Sequence, residues 1–163
     1  MEVEKGLCYG ASDVPLASSF EEEKNKVIKE LSDFSYDMVY SSPSDRCVKL
    51  VQYLNKPTII DQRLKELNFG AWELKNWNHI NDSYAKAWMK DYLNLSCPDG
   101  ESFQDLIHRF SIFYQELIDV KRNAVIVSHE GIIRAAYHII DGIPLKETFN
   151  LEIDYGSLHK FKI

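Results

Sequence analysis

An α/β fold is what this sequence predicts, and three observations carry the prediction. Short apolar runs recur at Met38-Val39-Tyr40, Pro57-Thr58-Ile59-Ile60 and Ala124-Val125-Ile126-Val127. Stretches with apolar residues at helical spacing lie between and after them, the alternation of a sheet with helices packed on it. Each run also stops abruptly at polar residues: Ser41-Ser42-Pro43, Asp61 and Ser128-His129.

The stretch Asn123 to Arg134 organises the rest. Ala124 to Val127 reads as a strand buried on both faces. The helix that follows is apolar nearly all the way round, through Ile132, Ile133, Ala135, Ala136, Tyr137, Ile139 and Ile140. Asp141-Gly142 and Pro144 stop it. His129 thus stands at the carboxyl end of a strand, the edge where open α/β sheets bind ligands, and the free N–H groups opening the next helix favour an anion there.

Taken in order, residues 6 to 16 carry two glycines, a proline and no periodicity, which predicts an ordered loop. Ser18 or Ser19 caps a surface helix running to about Asp33. Its acidic Glu21-Glu22-Glu23 precede Lys24, Lys26 and Lys29, and Phe20, Val27, Leu31 and Phe34 form its apolar stripe. After Met38-Val39-Tyr40, Ser42 can cap a second helix with Pro43 in its first turn and Cys47, Leu50, Val51 and Leu54 on its inner face. Trp72, Trp77 and Trp88, with Tyr84 and Tyr92, crowd one segment. They are either a flap offering flat faces to a ring-bearing substrate or the core of a helix around residues 79 to 93. Ser102 caps a helix with the stripe Leu106, Phe110, Phe113 and Leu117, leaving His108 and Arg109 on the surface. Phe149, Leu151, Ile153 and Tyr155 alternate, Gly156 turns, and Leu158 to Ile163 alternate again, which predicts a closing hairpin or edge pair.

Composition excludes several functions. A chain of 163 residues with 45% hydrophobic content fits one globular domain, residues 1–163. A net charge of −6 argues against a broad nucleic-acid or anionic-membrane surface, so any phosphate pocket is local. Cys8, Cys47 and Cys97 are odd in number and far apart, as in a reducing compartment. No apolar run approaches the roughly 20 residues that span a bilayer. The charged start is no signal peptide, so the expected location is the cytoplasm. No phosphate-loop, dinucleotide-binding or nucleophile-elbow motif occurs. His129 and His138 face opposite sides of their helix at about 100° per residue, which argues against a zinc hydrolase.

Three charged or titratable residues remain just past predicted strand ends. Arg46 lies in the first turn of its helix and leans toward the edge that His129 occupies. Glu66 follows Ile60 among Leu64, Leu67 and Phe69, neighbours that favour its protonated form, as a general acid requires. Taken singly, Arg46 and Glu66 read as solvated charges; together with His129 they make a phosphoryl-transfer constellation.

With these residues in hand, the chain resembles the histidine phosphatase superfamily, of phosphoglycerate-mutase-like fold, along nearly its whole length. The matching segments are Ser41-Ser42-Pro43-Ser44-Asp45-Arg46-Cys47, Leu64 to Glu73, Gly100-Glu101-Ser102 and Val127 to Arg134, in the family's order. The resemblance implies a three-layer α/β/α sandwich with a mostly parallel central sheet and a flap insertion at about 72–98 carrying Trp72, Trp77 and Trp88. It implies that Arg46 clamps the phosphoryl oxygens, that His129 hydrogen-bonds and neutralises them, and that Glu66 protonates the leaving alkoxide and then activates water. Backbone N–H groups at Glu130 and around Gly10 complete the phosphate cradle, with no metal and no cofactor. Gly6 to Gly10 with Asp13 to Leu16 resembles the alpha-ribazole phosphatases. That implies a small-molecule phosphoester, alpha-ribazole 5′-phosphate of cobalamin lower-ligand synthesis, with a sugar phosphate as the alternative.

The family's nucleophile is a histidine in an Arg-His pair ending the first, central strand. This strand and pair are missing from the sequence, and the expectation is that the native product begins upstream of Met1 with them. Two function classes therefore stand: a phosphomonoesterase working through a phosphohistidine, and an inactive or truncated phosphate-binding module that keeps Arg46 and His129.

Overall fold

Three parallel strands carry the fold, in the computed structural model that describes residues 3–162. They are β1 (Met38–Ser41), β2 (Thr58–Ile60) and β3 (Ala124–Val127), in the order β2-β1-β3. Val39 lies opposite Thr58 and Val125, and Tyr40 opposite Ile59 and Ile126. Six α-helices accompany them: α1 (Phe20–Leu31), α2 (Asp45–Val51), α3 (Ser83–Trp88), α4 (Phe103–Val120), α5 (Glu130–Ile139) and α6 (Leu145–Thr148).

The period-2 alternation of β1 divides the core. Val39 points to one face, where it packs with Val27 and Leu31 of α1, Val51 of α2, and Leu54. Tyr40 points to the other, against the stripe Leu106, Phe110, Phe113 and Leu117 of α4 and Ile132, Ala135 and Ala136 of α5. Helices therefore cover both faces and the molecule is a three-layer sandwich. The α4 stripe falls where its spacing predicts, and Ser102 and Asp105 close a reciprocal capping box at its start. Emptying one fully buried position in it, such as Phe110, costs about 3–5 kcal/mol.

Several expectations are corrected. β3 is half-buried at all four residues rather than buried on both faces, because among the described residues it pairs with β1 alone. Phe34 lies beyond α1 and is exposed, with the Lys160 ammonium over its ring. The cap of α2 falls at Ser44, and its first N–H groups are met by Ser42 Oγ and, from across the chain, Asp13 Oδ1. The helix around 79 to 93 is cut to α3, with Asp82 accepting from the Ala85 N–H to start it. On α5 the buried positions form a broad stripe that includes Arg134, while Tyr137 to Ile140 are only half-buried.

The closing hairpin does not form among the described residues; Ile163 lies outside them. Its turn is present, with Gly156 at φ 68 and the Ser157 N–H on the Asp154 carbonyl. Its alternating residues instead pack separately: Phe149 on Tyr92 and Phe103, Leu158 in the α1 cluster, and Phe161 on Tyr137. Side-chain burial there outweighs strand pairing.

Candidate active site

Because the strands are parallel, Ser41, Ile60 and Val127 end at one edge, and the chain leaves each into a site residue. Arg46 sits in the first turn of α2, His129 is the N-cap of α5, and Glu66 follows a short 3-10 turn at Gln62–Leu64. Ser128 Oγ donates to the Leu64 carbonyl (2.7 Å), tying the end of β3 to the loop that carries Glu66.

His129 is buried and fully engaged. Its Nδ1 accepts from Arg46 Nε (3.2 Å), so the ring proton belongs on Nε2, which donates to Ser42 Oγ (2.8 Å). Ser42 Oγ also accepts from the Ser44 N–H and donates to Ser44 Oγ, so the assignment closes consistently. Burial, reinforced by the Arg46 and Arg109 charges, pushes the imidazole down to about 3. His129 is therefore neutral at pH 7. Cys47 Sγ lies 3.7 Å from Nε2, but burial pushes that thiol up to about 12 and leaves it unreactive.

Arg46 Nε faces His129, Nη1 donates to the Ser12 carbonyl (3.1 Å), and Nη2 donates to the Gly10 carbonyl (2.7 Å). A guanidinium has five N–H donors, so one hydrogen on each Nη is left for a phosphoryl group. Asp13 Oδ1 stands 3.9 Å from Nη1.

Glu66 lies against the start of α5. Its Oε1 accepts from the Leu67 N–H (2.8 Å) and its Oε2 from the Gly131 N–H (3.1 Å). Desolvation raises its pKa, and these two N–H groups offset the rise only in part. A side chain on Gly131 would run into Glu66 Oε1, so the helix approaches the acid this closely only because residue 131 is glycine.

Other expected site residues fall differently. The Gly10 N–H is not open to phosphate: it donates to Glu73 Oε2 (3.1 Å), and the neighbouring Ala11 and Ser12 N–H groups also donate to the Glu73 carboxylate. Gly10 instead contributes its carbonyl, to Arg46. The Glu130 N–H meets no acceptor among the described residues, and the Glu130 side chain turns to Arg134. Trp72 and Trp88 are buried with Cys8, Ile80, Ala85 and Cys97, and Trp77 stacks on Trp88. These tryptophans face one another because their apolar faces gain more from mutual burial than from exposure over a pocket. They form a second core, with Trp77 only partly buried at its margin.

Two residues with structural work at the site escaped the sequence reading. Arg109, expected on the surface, donates to the carbonyls of Arg63, Lys65 and Glu66 and to both oxygens of Glu101. Glu101 in turn accepts from the Asn68 N–H (3.0 Å). The signal was there, a Glu–Arg pair eight residues apart flanking the start of α4, but only the fold shows what the pair encloses. Arg134 is buried at the other end of α5's first turn, where it pairs with Glu130 and donates to the Leu151 carbonyl (3.2 Å).

The carboxyl edge of the sheet thus gathers a partly free arginine, a buried histidine and a desolvated carboxyl group. The chain belongs to the histidine phosphatase superfamily, branch 1, whose model matches residues 2–163. It is 25% identical to the adenosylcobalamin/alpha-ribazole phosphatase of Escherichia coli over 93% of this chain and 79% of that one. It is 26% identical to the 2,3-bisphosphoglycerate-dependent phosphoglycerate mutase of Cytophaga hutchinsonii, covering 94% of this chain and 78% of the relative. The crystal structure of the alpha-ribazole phosphatase from Shigella flexneri superimposes with a TM-score of 0.84 at 26% identity, covering 93% of this chain and 79% of that one.

Proposed function

We propose that the chain acts as a phosphomonoesterase on a small phosphoester. The observation that carries this reading is the convergence of Arg46, His129 and Glu66 at one sheet edge, with Glu66 desolvated toward its acid form. Arg46 clamps the phosphoryl oxygens with its two remaining Nη hydrogens. The His129 Nε2–H, now on Ser42, turns to a phosphoryl oxygen, and the Glu130 N–H at the helix start completes the cradle. An arriving phosphate dianion offsets the push of the two arginines and raises the basicity of the imidazole. Glu66 protonates the leaving alkoxide and, once ionised, activates water. No step requires a metal ion or cofactor.

The covalent acceptor in this reading is the histidine of the Arg-His pair that the resemblance implies, giving a phosphohistidine intermediate. His129 is assigned to binding rather than attack because the lone pair of its Nδ1 is committed to Arg46. The first substrate candidate is alpha-ribazole 5′-phosphate, supported by the resemblance of residues 6 to 16 and by the relatives of that name. A sugar phosphate is the alternative. Hydrolysis is favoured over mutase chemistry by the shortness of the 72–98 segment. Three unpaired cysteines support a cytoplasmic setting, and the net charge of −6 supports a small-molecule partner rather than nucleic acid or membrane.

One observation favours a second reading, a phosphate-binding module: the 163 residues hold no Arg-His pair of the kind that supplies the nucleophile in the first reading. Assaying the chain on an aryl phosphate, beside a version carrying an upstream Arg-His segment and with His129→Ala in both, separates the two. Turnover with a trapped, acid-labile phosphohistidine supports the enzyme. Phosphate binding without turnover in either version leaves the module.

A further inference from the structure

The loop at residues 10–12 and the loop at residues 66–69 come from opposite ends of the chain's first half, yet one side chain holds both. Glu73 Oε1 accepts from the Ala11 N–H (3.0 Å) and the Phe69 N–H (2.9 Å), while Oε2 accepts from the Gly10 N–H (3.1 Å) and the Ser12 N–H (3.2 Å). Four backbone donors thus converge on one carboxylate, in the manner of a backbone anion nest. The opposite side of the first loop, the Gly10 and Ser12 carbonyls, holds the guanidinium of Arg46. The second loop begins at Glu66.

The backbone around Glu73 is shaped to aim it. Cys8 and Lys75 pair through the Cys8 N–H on the Lys75 carbonyl (2.8 Å), the Leu74 N–H donates to the Cys8 carbonyl (2.7 Å), and Leu7 bridges Asn76. Leu74, an exposed leucine, is held at φ 61, a left-handed conformation that a bulky side chain rarely adopts and that persists only where its surroundings impose it. Gly10 lies so close to Leu67 and Phe69 that a Cβ would strike the Leu67 carbonyl.

We infer that Glu73 is a positioning residue for the phosphoryl-binding site, setting the arginine clamp at its working place relative to Glu66 by stapling the 10–12 loop to the 66–69 loop. The inference rests on the proposed phosphoester reading for its functional consequence. Its structural content stands apart from that reading. A neutral amide fits the space but can accept from only one of the two N–H pairs, and its NH₂ group faces the other pair as a second donor.

The test is an NMR comparison of the whole chain with its Glu73→Gln and Glu73→Asp variants, followed by titration with inorganic phosphate. In the native protein the Arg46 Nε–H, sequestered on His129 Nδ1, gives a slowly exchanging signal. Glu73→Gln is expected to speed its exchange and to weaken phosphate binding about tenfold. Glu73→Asp, which keeps both acceptor oxygens, recovers part of each effect and serves as the decisive variant should the glutamine form fail to fold. In an Arg46→Ala background, Glu73→Gln is expected to change phosphate affinity less than about twofold, because the route through Arg46 is gone. An unchanged Arg46 signal in both variants, or an equal loss of affinity in both backgrounds, overturns the inference. If the native chain binds no phosphate, the phosphoester reading fails, and the Arg46 signal alone decides the role of Glu73.

Discussion

The two halves of the site are held by opposite devices. On the phosphate side an anion, Glu73, sits in a ring of four backbone N–H groups and fixes the loop that holds Arg46. On the acid side a cation, Arg109, sits in a ring of three backbone carbonyls and fixes the loop that carries Glu66. Arg109 has a carboxylate partner in Glu101, whereas Glu73 relies on peptide dipoles. In both cases the charge is spent on backbone groups that would otherwise be buried unpaired, so each side chain specifies the shape of a loop more than it contributes ion-pair energy. The functional groups inherit opposite electrostatics: burial beside cations lowers the histidine's pKa on one side, and burial, reinforced by the Glu130 charge, raises the carboxyl's pKa on the other.

That contrast can be broken at several points. The largest effect is expected for Glu66→Gln, which removes proton transfer but leaves the arginine clamp intact. Turnover on a poor leaving group should fall by about 10²–10⁴ while phosphate affinity holds. Steady-state kinetics beside calorimetric titration checks it, and a fully active variant would show that the two halves are not separate in role.

Next is the pH dependence of stability, where the halves should pull in opposite directions. The folded-state pKa of His129 is lowered from 6.5 to about 3, so the unfolded chain binds the proton first and stability is lost as pH falls through that window. The expected loss is roughly 4–5 kcal/mol, absent in His129→Gln. The pKa of Glu66 is raised, so its contribution is present at low pH and fades as pH rises above the ordinary carboxylate range. Urea melts from pH 3 to 8 with both variants measure the two slopes; parallel slopes would refute the contrast.

Arg109→Ala should destabilise the protein by about 3 kcal/mol, since it strands the Glu101 carboxylate and the carbonyls at residues 63, 65 and 66. Thermal unfolding reads it, and a change within 0.5 kcal/mol, roughly a surface effect, would show that water replaces the cradle freely. The smallest effect belongs to Gly131→Ala. The added methyl pushes on Glu66, costing about 1–3 kcal/mol and lowering turnover more than phosphate binding.

Much of this was legible in the sequence for a local reason. Met38–Ser41, Ala124–Val127 and the α4 stripe are set by the spacing of apolar residues, and Ser102 is a cap signal at the start of that stripe. Arg46, Glu66 and His129 could be placed at one edge because each follows a strand, and parallel strands share their carboxyl ends. The tryptophans left two readings open, a flap and a core, because aromatic content marks a need for burial without saying against what, and the packing of Trp72, Trp77 and Trp88 on one another fits the core. The Gly10 N–H, which the resemblance implied as part of a phosphate cradle, is instead on Glu73, a partner 63 residues away that no local pattern indicates.

What the sequence by itself determined, then, is the α/β class, the α4 stripe and the strand-end position of the three chemical groups, since these follow from patterns within about twenty residues, whereas the three-layer order was implied by the family resemblance. Tertiary structure alone decided which backbone groups Glu73 and Arg109 enclose, which ring nitrogen of His129 carries the proton, and that among the described residues β3 pairs with β1 alone. Those outcomes depend on desolvation and on hydrogen bonds between segments 43 to 87 residues apart, and no local pattern encodes which buried donor will find which acceptor.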